Sequence, residues 1–351
     1  MHINKVELHN FRNYENQEIK LKKNINVFYG DNAQGKTNIL EAIFLCAFGK
    51  SFRTTREKEL IKLGEENARI KVEYSKKDRD GNILICISDK KQILVNGVKI
   101  KKLSELLGKI NIVIFTPDDI NILKGTPALR RRFLDMMIGQ LRPNYVHNLN
   151  LYLKILEQRN NYLRQIKELN KPENMLEKLA EYAEIICRYR IEFIEKLNNK
   201  IKKIHSEVTE NKEKLEIKYI TECENKKNYL SLLKQRRKLD IIKGFTTKGI
   251  HRDDFKCFIN DKEIEIYGSQ GQHRTAILSL KLAELYVIYD EIGEYPILLL
   301  DDFMSELDEK RRKSFLSYIK DTQVIITCTD KMELDNIKLF NVINGEICKI
   351  I

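Results

Sequence analysis

Three short stretches carry residue types at spacings that can do chemistry. The first is Gly30-Asp31-Asn32-Ala33-Gln34-Gly35-Lys36-Thr37, a G-x-x-x-x-G-K-[ST] pattern without a mismatch. Its glycines let the backbone turn tightly, so that successive amides face an anion at a helix N-terminus. Lys36 would reach the β- and γ-phosphates of ATP, and the Thr37 hydroxyl would ligate Mg²⁺. Asn38, the next residue, completes the candidate nucleotide-binding run. The second stretch is the apolar run 296–300, which ends in Asp301-Asp302. Asp301 would hold the Mg²⁺, directly or through water, and Asp302 would polarise the attacking water beside the γ-phosphate. Lys36, Asp301 and Asp302 are therefore the candidate catalytic residues, with Thr37 and Asp301 as metal ligands. The third stretch, Ser269-Gln270-Gly271-Gln272, precedes a helical pattern and offers a hydroxyl and free amides as another anion site.

Each stretch also has a plainer reading: a Gly-containing turn, a buried strand that surfaces at two acids, a polar helix cap. The chemical reading rests on their combination and on what must position them. The phosphate loop is flanked by a strand-like Ile25–Tyr29 and a helix-like 38–47, the context its pattern requires. Residues 2–30 alternate as strands, and hairpin turns are expected at Asp80-Gly81, Asn96-Gly97 and Asn260-Asp261. A short strand, Ile112–Phe115, follows. From 127 to 243 apolar residues recur at three- and four-residue spacing, broken at Pro143 and at Lys171-Pro172-Glu173, which predicts an inserted helical arm. Strand character returns over 244–266, a helix is expected over 275–288, and buried strands over 296–302 and 323–327. The fold class is α/β: a head with a mixed sheet and an antiparallel β subdomain, interrupted by the arm. The expected division is 1–126, 127–243 and 244–351.

Composition narrows the partners. The chain of 351 residues carries 63 Lys+Arg against 51 Asp+Glu, a net charge of +12 that favours an anionic partner. The stretch 151–240 alone holds 21 basic and 15 acidic residues. Seven scattered cysteines without a C-x-x-C pair read as reduced residues, several of them in apolar runs, with neither a disulfide framework nor a zinc site. The start, MHINKVEL, is strand-like with no apolar targeting segment, and no run approaches the roughly 20 apolar residues of a membrane span. A cytoplasmic protein without a membrane partner is expected.

The third stretch resembles the signature motif of ABC-type ATPases, with Ser269, Gly271 and Gln272 in the Ser, second Gly and Gln places and Gln270 replacing the first glycine. That resemblance implies a P-loop ABC-type ATPase head in which the motif closes over ATP held by a second copy. Ser305-Glu306-Leu307-Asp308 resembles the superfamily's dimer-contact loop, and Thr329 or Asp330 stands where a γ-phosphate-sensing His is usual. Thr116-Pro117-Asp118-Asp119 occupies roughly the place of the glutamine loop. Gly49-Lys-Ser-Phe-Arg53, the run 128–135 (ALRRRFLD), 249–254 (GIHRDD) and 298–308 (LLLDDFMSELD) occur in order with these motifs. Together they resemble the RecF family, bacterial recombination mediators related to the SMC ATPases. The resemblance implies a weak, DNA-stimulated ATPase that forms an ATP-dependent homodimer and clamps double-stranded or gapped DNA. It further implies work with RecR and RecO in loading RecA during recombinational repair, replication restart and the SOS response to DNA damage.

The candidate DNA contacts are Arg130 and Arg131 in one basic run and Lys234, Arg236 and Arg237 in another. A solvated helical face is the default for any such run, and three consecutive arginines on a helix point to different faces. His251 with Asp253-Asp254 could suggest a metal, but no second ligand cluster has suitable spacing, so a structural polar turn is expected. Two rival classes are a transporter ATPase subunit, which would lack the basic arm, and a structural SMC-like protein, which would need a long heptad region.

Overall fold

The computed structural model describes residues 1–165, 174–306, 308–331 and 336–350. The chain forms two compact units, Met1–Asp119 with Glu284–Ile351, and Ile120–Ala283. The expected boundary at 243/244 is thereby corrected: residues 244–283 group with the insertion. The reason is a strand inside the expected arm, described below.

In the first unit, β1 (His2–Phe11) and β2 (Tyr14–Lys20) form a hairpin. β3 (Ile25–Tyr29) leads into the phosphate loop and α1 (Lys36–Phe48). β4 (Ala68–Ser75), β5 (Asp80–Ile87), β6 (Gln92–Val95) and β7 (Val98–Lys99) continue as a meander, giving an antiparallel sheet of order β2-β1-β4-β5-β6-β7. Along β4 the alternating Ala68, Ile70, Val72 and Tyr74 are buried, as a half-buried strand demands. Asn96 adopts φ 50° and makes the expected tight turn between β6 and β7. The turn expected at Asp80-Gly81 lies elsewhere: Lys76 donates to the Arg79 carbonyl at 2.8 Å, and Asp80 already pairs with Ser75. Gly81 is there because the Tyr74 ring crosses it, and a Cβ would sit 2.5 Å from the phenol oxygen. β8 (Ile112–Phe115) closes this half.

The second unit opens with the short α2 (Asn121–Lys124), then α3 (Pro127–Leu141), α4 (Pro143–Gln165) and α5 (Leu176–Val208). The expected break at Pro143 acts as the start of α4, as Pro127 starts α3, positions where a missing N–H costs nothing. The break expected at Lys171-Pro172-Glu173 lies outside the described residues. Leu179, Ala183, Ile186, Phe193, Leu197, Ile201 and Ile204 form the buried stripe of α5. The expectation of a helical arm missed β9 (Leu215–Ile220), which follows α5. Beyond α6 (Lys226–Lys243), β10 (Asp254–Ile259) pairs along its length with β9 and turns through Asn260-Asp261 into β11 (Lys262–Glu263). α7 (Ile264–Tyr267) replaces the strand expected to run to 266, and α8 (Gln270–Ile292) starts five residues earlier than expected.

The chain then returns to the first unit. β12 (Ile297–Asp301) is followed by α9 (Glu309–Tyr318), β13 (Val324–Cys328), β14 (Ile337–Ile343) and β15 (Glu346–Ile350). They complete a sheet of order β15-β14-β3-β13-β12-β8, parallel except for β15. Leu298, Leu299, Leu300, Ile325 and Ile326 are wholly buried, the continuous apolar pattern of a parallel sheet covered on both faces. β14 and β15 are additions to the sequence expectation.

Candidate functional site

The phosphate loop leaves β3 at its carboxyl end and feeds α1, whose first residue is Lys36. Gly35 caps the helix at φ 111°, and a Cβ there would collide with the Asn13 side chain at 2.5 Å. The loop carbonyls are held from outside. Asn13 Nδ2 donates to the Gln34 carbonyl at 2.9 Å, the Gly345 amide donates to the same oxygen at 3.0 Å, and the Tyr14 hydroxyl donates to the Gly35 carbonyl at 3.1 Å. Holding carbonyls outward is what a loop that presents its amides to an anion requires. The ammonium of Lys36 donates to the carbonyls of Gly30 at 2.6 Å and Asp31 at 2.8 Å, so it already lies over the loop. Asn38 joins this frame through Asn13 Oδ1 and through Arg53, which donates to its side-chain carbonyl at 2.7 Å.

One turn into α1, the wholly buried Glu41 anchors the frame. Arg12 donates to both of its carboxylate oxygens, at 2.9 and 2.7 Å, and the Ser51 hydroxyl donates to it as well. Sequence reasoning missed Asn13, Tyr14 and Glu41, because their roles arise only when the β1–β2 turn meets α1.

The two acids stand where expected, at the carboxyl end of β12. Thr37 Oγ1 donates to Asp301 Oδ1 at 2.7 Å. On the neighbouring strand β13, the buried Thr327 lies 2.8 Å from the same oxygen, and its hydroxyl accepts from the Asp302 amide at 3.0 Å. Asp302 adopts φ 48°. That left-handed backbone costs an ordinary L-residue about 1 to 2 kcal/mol, less for Asp. Burial pushes the Asp301 carboxyl above its usual range, and the Asp302 charge adds to this. The Thr37 and Thr327 hydroxyls and the Arg53 guanidinium pull it down. A buried carboxylate beside a threonine hydroxyl is a hard oxygen donor set that fits Mg²⁺. Thr329 sits at the loop, its carbonyl accepting from the Gly30 amide at 3.3 Å, and its hydroxyl donates to Asp330 at 3.1 Å. In Thr116-Pro-Asp-Asp119 the Thr116 amide donates to Asp119 Oδ2 at 2.7 Å. Of the dimer-contact resemblance, Leu307 lies outside the described residues, and Asp308 caps α9 by accepting from the Arg311 amide at 2.8 Å.

In the second unit, Ser269 and Gln272 form a reciprocal cap on α8. The Gln272 amide donates to Ser269 Oγ at 3.2 Å, and the Ser269 amide donates to Gln272 Oε1 at 2.9 Å. The plainer reading is thus geometrically real, yet it leaves the exposed Ser269 hydroxyl able to donate its own proton. Gln272 is tied further to Glu213 through Nε2 at 2.9 Å, a partner no sequence signal indicates.

The candidate DNA contacts separate. Arg130 is buried and donates through Nε and an NH₂ group to the two carboxylate oxygens of Asp254, at 2.6 and 2.9 Å, and to the Gly125 carbonyl at 2.8 Å. It is a structural lock, and the expectation that it meets DNA is corrected: its face of α3 points at β10. Arg131, half-buried, donates to the Asp253 carbonyl at 2.6 Å. Lys234 and Arg236 are exposed on α6, and Arg237 is half-buried.

The 128–135 and 249–254 runs therefore meet each other. Arg190 completes the junction, donating to Tyr145 and Asp135 and to the Ile250 carbonyl. His251 is part of it. Its Nε2–H donates to the Thr246 carbonyl at 3.1 Å, which leaves Nδ1 to accept from the Tyr152 hydroxyl at 2.7 Å. Burial lowers its pKa to about 4.

A family model described as RecF/RecN/SMC N terminal domain matches residues 2–346. The chain is 46% identical over 362 residues to the DNA replication and repair protein RecF of Clostridium perfringens, covering 99% of both chains. It is 44% identical over 359 residues to the RecF of Clostridium novyi, again covering 99% of both. Among solved structures, one described as the recombination mediator protein RecF-ATP in the RecFOR pathway matches with TM-score 0.92 at 38% identity, over 98% of this chain and 96% of that one. An SMC head bound to the C-winged helix domain of ScpA matches with TM-score 0.59 at 17% identity over 100% and 97% of the chains, a likeness of fold alone. Matched by that family model over residues 2–346 and 46% identical to a RecF over 99% of both chains, the chain belongs to the RecF family.

Proposed function

We propose that this chain is an ATP-driven DNA clamp: a slow, DNA-stimulated ATPase that dimerises on ATP. The observation that carries the reading is the Thr37–Asp301 hydrogen bond, which brings the phosphate loop and the acidic strand end into one site. Thr37 and Asp301 would hold Mg²⁺, which would supply charge neutralisation for the bound nucleotide's phosphates. Lys36 leaves the carbonyls of Gly30 and Asp31 for the phosphates, and Asp302 accepts a proton from water as that water attacks the γ-phosphorus and the bond to ADP breaks. Gly30, Asp31, Asn32, Ala33, Gln34, Gly35 and Asn38 supply the cradle around the phosphates. Ser269, Gly271 and Gln272 act on the nucleotide of a second copy. Relatives described as RecF-ATPrS and RecF-ATP in the RecFOR pathway support the nucleotide and the pathway. RecR and RecO as partners, and RecA loading at gapped DNA as the outcome, extend the proposal from the family resemblance.

DNA contact falls to Lys234, Arg236 and Arg237 on α6 and to Arg131, chiefly through phosphates, so it is salt-sensitive and weakly sequence-selective. No helix among the described residues is long and apolar enough to cross a membrane. The protein would act in the cytoplasm. Sedimentation with ATP, with ADP and without nucleotide tests the reading: a dimer is expected with ATP alone and should be lost in Ser269→Arg. A monomer throughout, or a dimer indifferent to ATP, removes the switch.

A further inference from the structure

We propose that Thr327 is a positioning residue that couples the two acids of the site. β13 lies between β3 and β12, and its residues Val324, Ile325 and Ile326 are wholly buried and apolar. The next residue, Thr327, is equally buried but carries a hydroxyl, and it is the direct cross-strand neighbour of Asp301. Valine has the same shape and would fill this place without a polar atom to satisfy. The hydroxyl, however, has two partners. It accepts from the Asp302 amide at 3.0 Å, and of the two acceptors in reach it lies closer to Asp301 Oδ1, at 2.8 Å, than to the Leu300 carbonyl, at 3.4 Å. One hydroxyl therefore fixes the carboxylate of Asp301 and the backbone of Asp302, which needs holding because it sits at φ 48°.

Asp301 Oδ1 also receives the Thr37 hydroxyl, so a relay runs from the phosphate loop through Asp301 and Thr327 to the Asp302 amide. Outer partners of this kind orient a ligand and tune its affinity, typically by 10- to 100-fold. The relay makes Mg²⁺ affinity and the aim of Asp302 depend on one side chain that touches neither nucleotide nor cation.

The inference rests on the ATPase reading, and the test separates the two. Binding of a fluorescent ATP analogue is titrated with Mg²⁺, and turnover is measured, for the intact chain, Thr327→Val, Thr327→Ser and Asp302→Asn. Thr327→Val is expected to need about tenfold more Mg²⁺ for half-maximal binding and to lose about tenfold in kcat at saturating Mg²⁺, with KM for ATP nearly unchanged. Thr327→Ser restores both. Thr327→Ala beside Thr327→Ser gives a second pair that differs by the hydroxyl alone, should valine disturb folding as read by thermal melting. If Thr327→Val keeps the original Mg²⁺ requirement and kcat, or Thr327→Ser fails alongside it, the positioning role is wrong while the ATPase stands. If the intact chain binds no analogue and hydrolyses no ATP, the ATPase reading itself fails and takes the inference with it; if Asp302→Asn turns over normally, Asp302 is not the base and the coupling of the two acids is wrong while the ATPase stands.

Discussion

Thr37 and Asp301 are separated by 264 positions and joined by a hydrogen bond of 2.7 Å. The bond exists because β3 and β12 flank β13 in one parallel sheet, which brings both strand ends to the same edge. A threonine hydroxyl donating to a buried carboxylate is already arranged for a hard cation. Asp301→Ala should therefore weaken Mg²⁺-dependent binding of an ATP analogue by at least about tenfold. Calorimetry with and without Mg²⁺ checks this, and chelation by EDTA should bring the intact chain close to the variant.

Asp302→Asn should separate binding from chemistry. The amide keeps the size of the side chain and removes the proton acceptor, so hydrolysis should fall by roughly 10²- to 10⁴-fold. Affinity for ATP should stay within about twofold, since the loop and Lys36 are untouched, and the ATP-bound dimer should persist for hours in sedimentation. Hydrolysis at the normal rate would rule out Asp302 as the base.

The parts of this site that were legible in the sequence are those whose chemistry is contiguous. Gly30–Thr37 and the β12 acids are read directly, because phosphate binding and cation binding each demand fixed residue types at neighbouring positions. Thr327 was not legible as a partner of Asp301, since only strand register brings the two together. The same holds for Asn13 on the loop and Glu213 on Gln272, both long-range contacts of commonplace side chains. β9 escaped because its six residues, Leu-Glu-Ile-Lys-Tyr-Ile, alternate too briefly between long helices to stand out without β10 beside them. Arg130-Arg131-Arg132 reads as a basic surface only while its helix lacks a neighbour. Asp254 on β10 turns the first of the three inward.

That inversion is testable against α6. Arg130→Ala leaves Asp254 without its bidentate partner and should destabilise the chain by about 3 to 5 kcal/mol, seen as a lower urea midpoint. Lys234→Ala with Arg236→Ala should leave the midpoint unchanged. It should weaken DNA binding across all sequences and reduce the salt slope by about two counterions. Reversal of the two phenotypes would return Arg130 to the DNA surface.

His251 gives the pH dependence its sign. In the folded chain its pKa lies at about 4, depressed chiefly by burial, against an ordinary 6.5 when unfolded. Above pH 6.5 both states hold it neutral, and its contribution is complete. As pH falls from 6.5 toward 4 the unfolded chain takes up a proton that the folded chain refuses, so stability declines through that window, by on the order of 3 kcal/mol in full. Asp253, whose carboxyl burial raises, works in the opposite direction, favouring the folded chain as pH falls. Comparison with His251→Gln cancels that contribution. Urea midpoints should converge for the two proteins near pH 4 and separate progressively up to pH 7, the intact chain being the more stable there. A constant difference across the whole range would mean that His251 titrates alike in both states, and that burial does not hold the ring neutral.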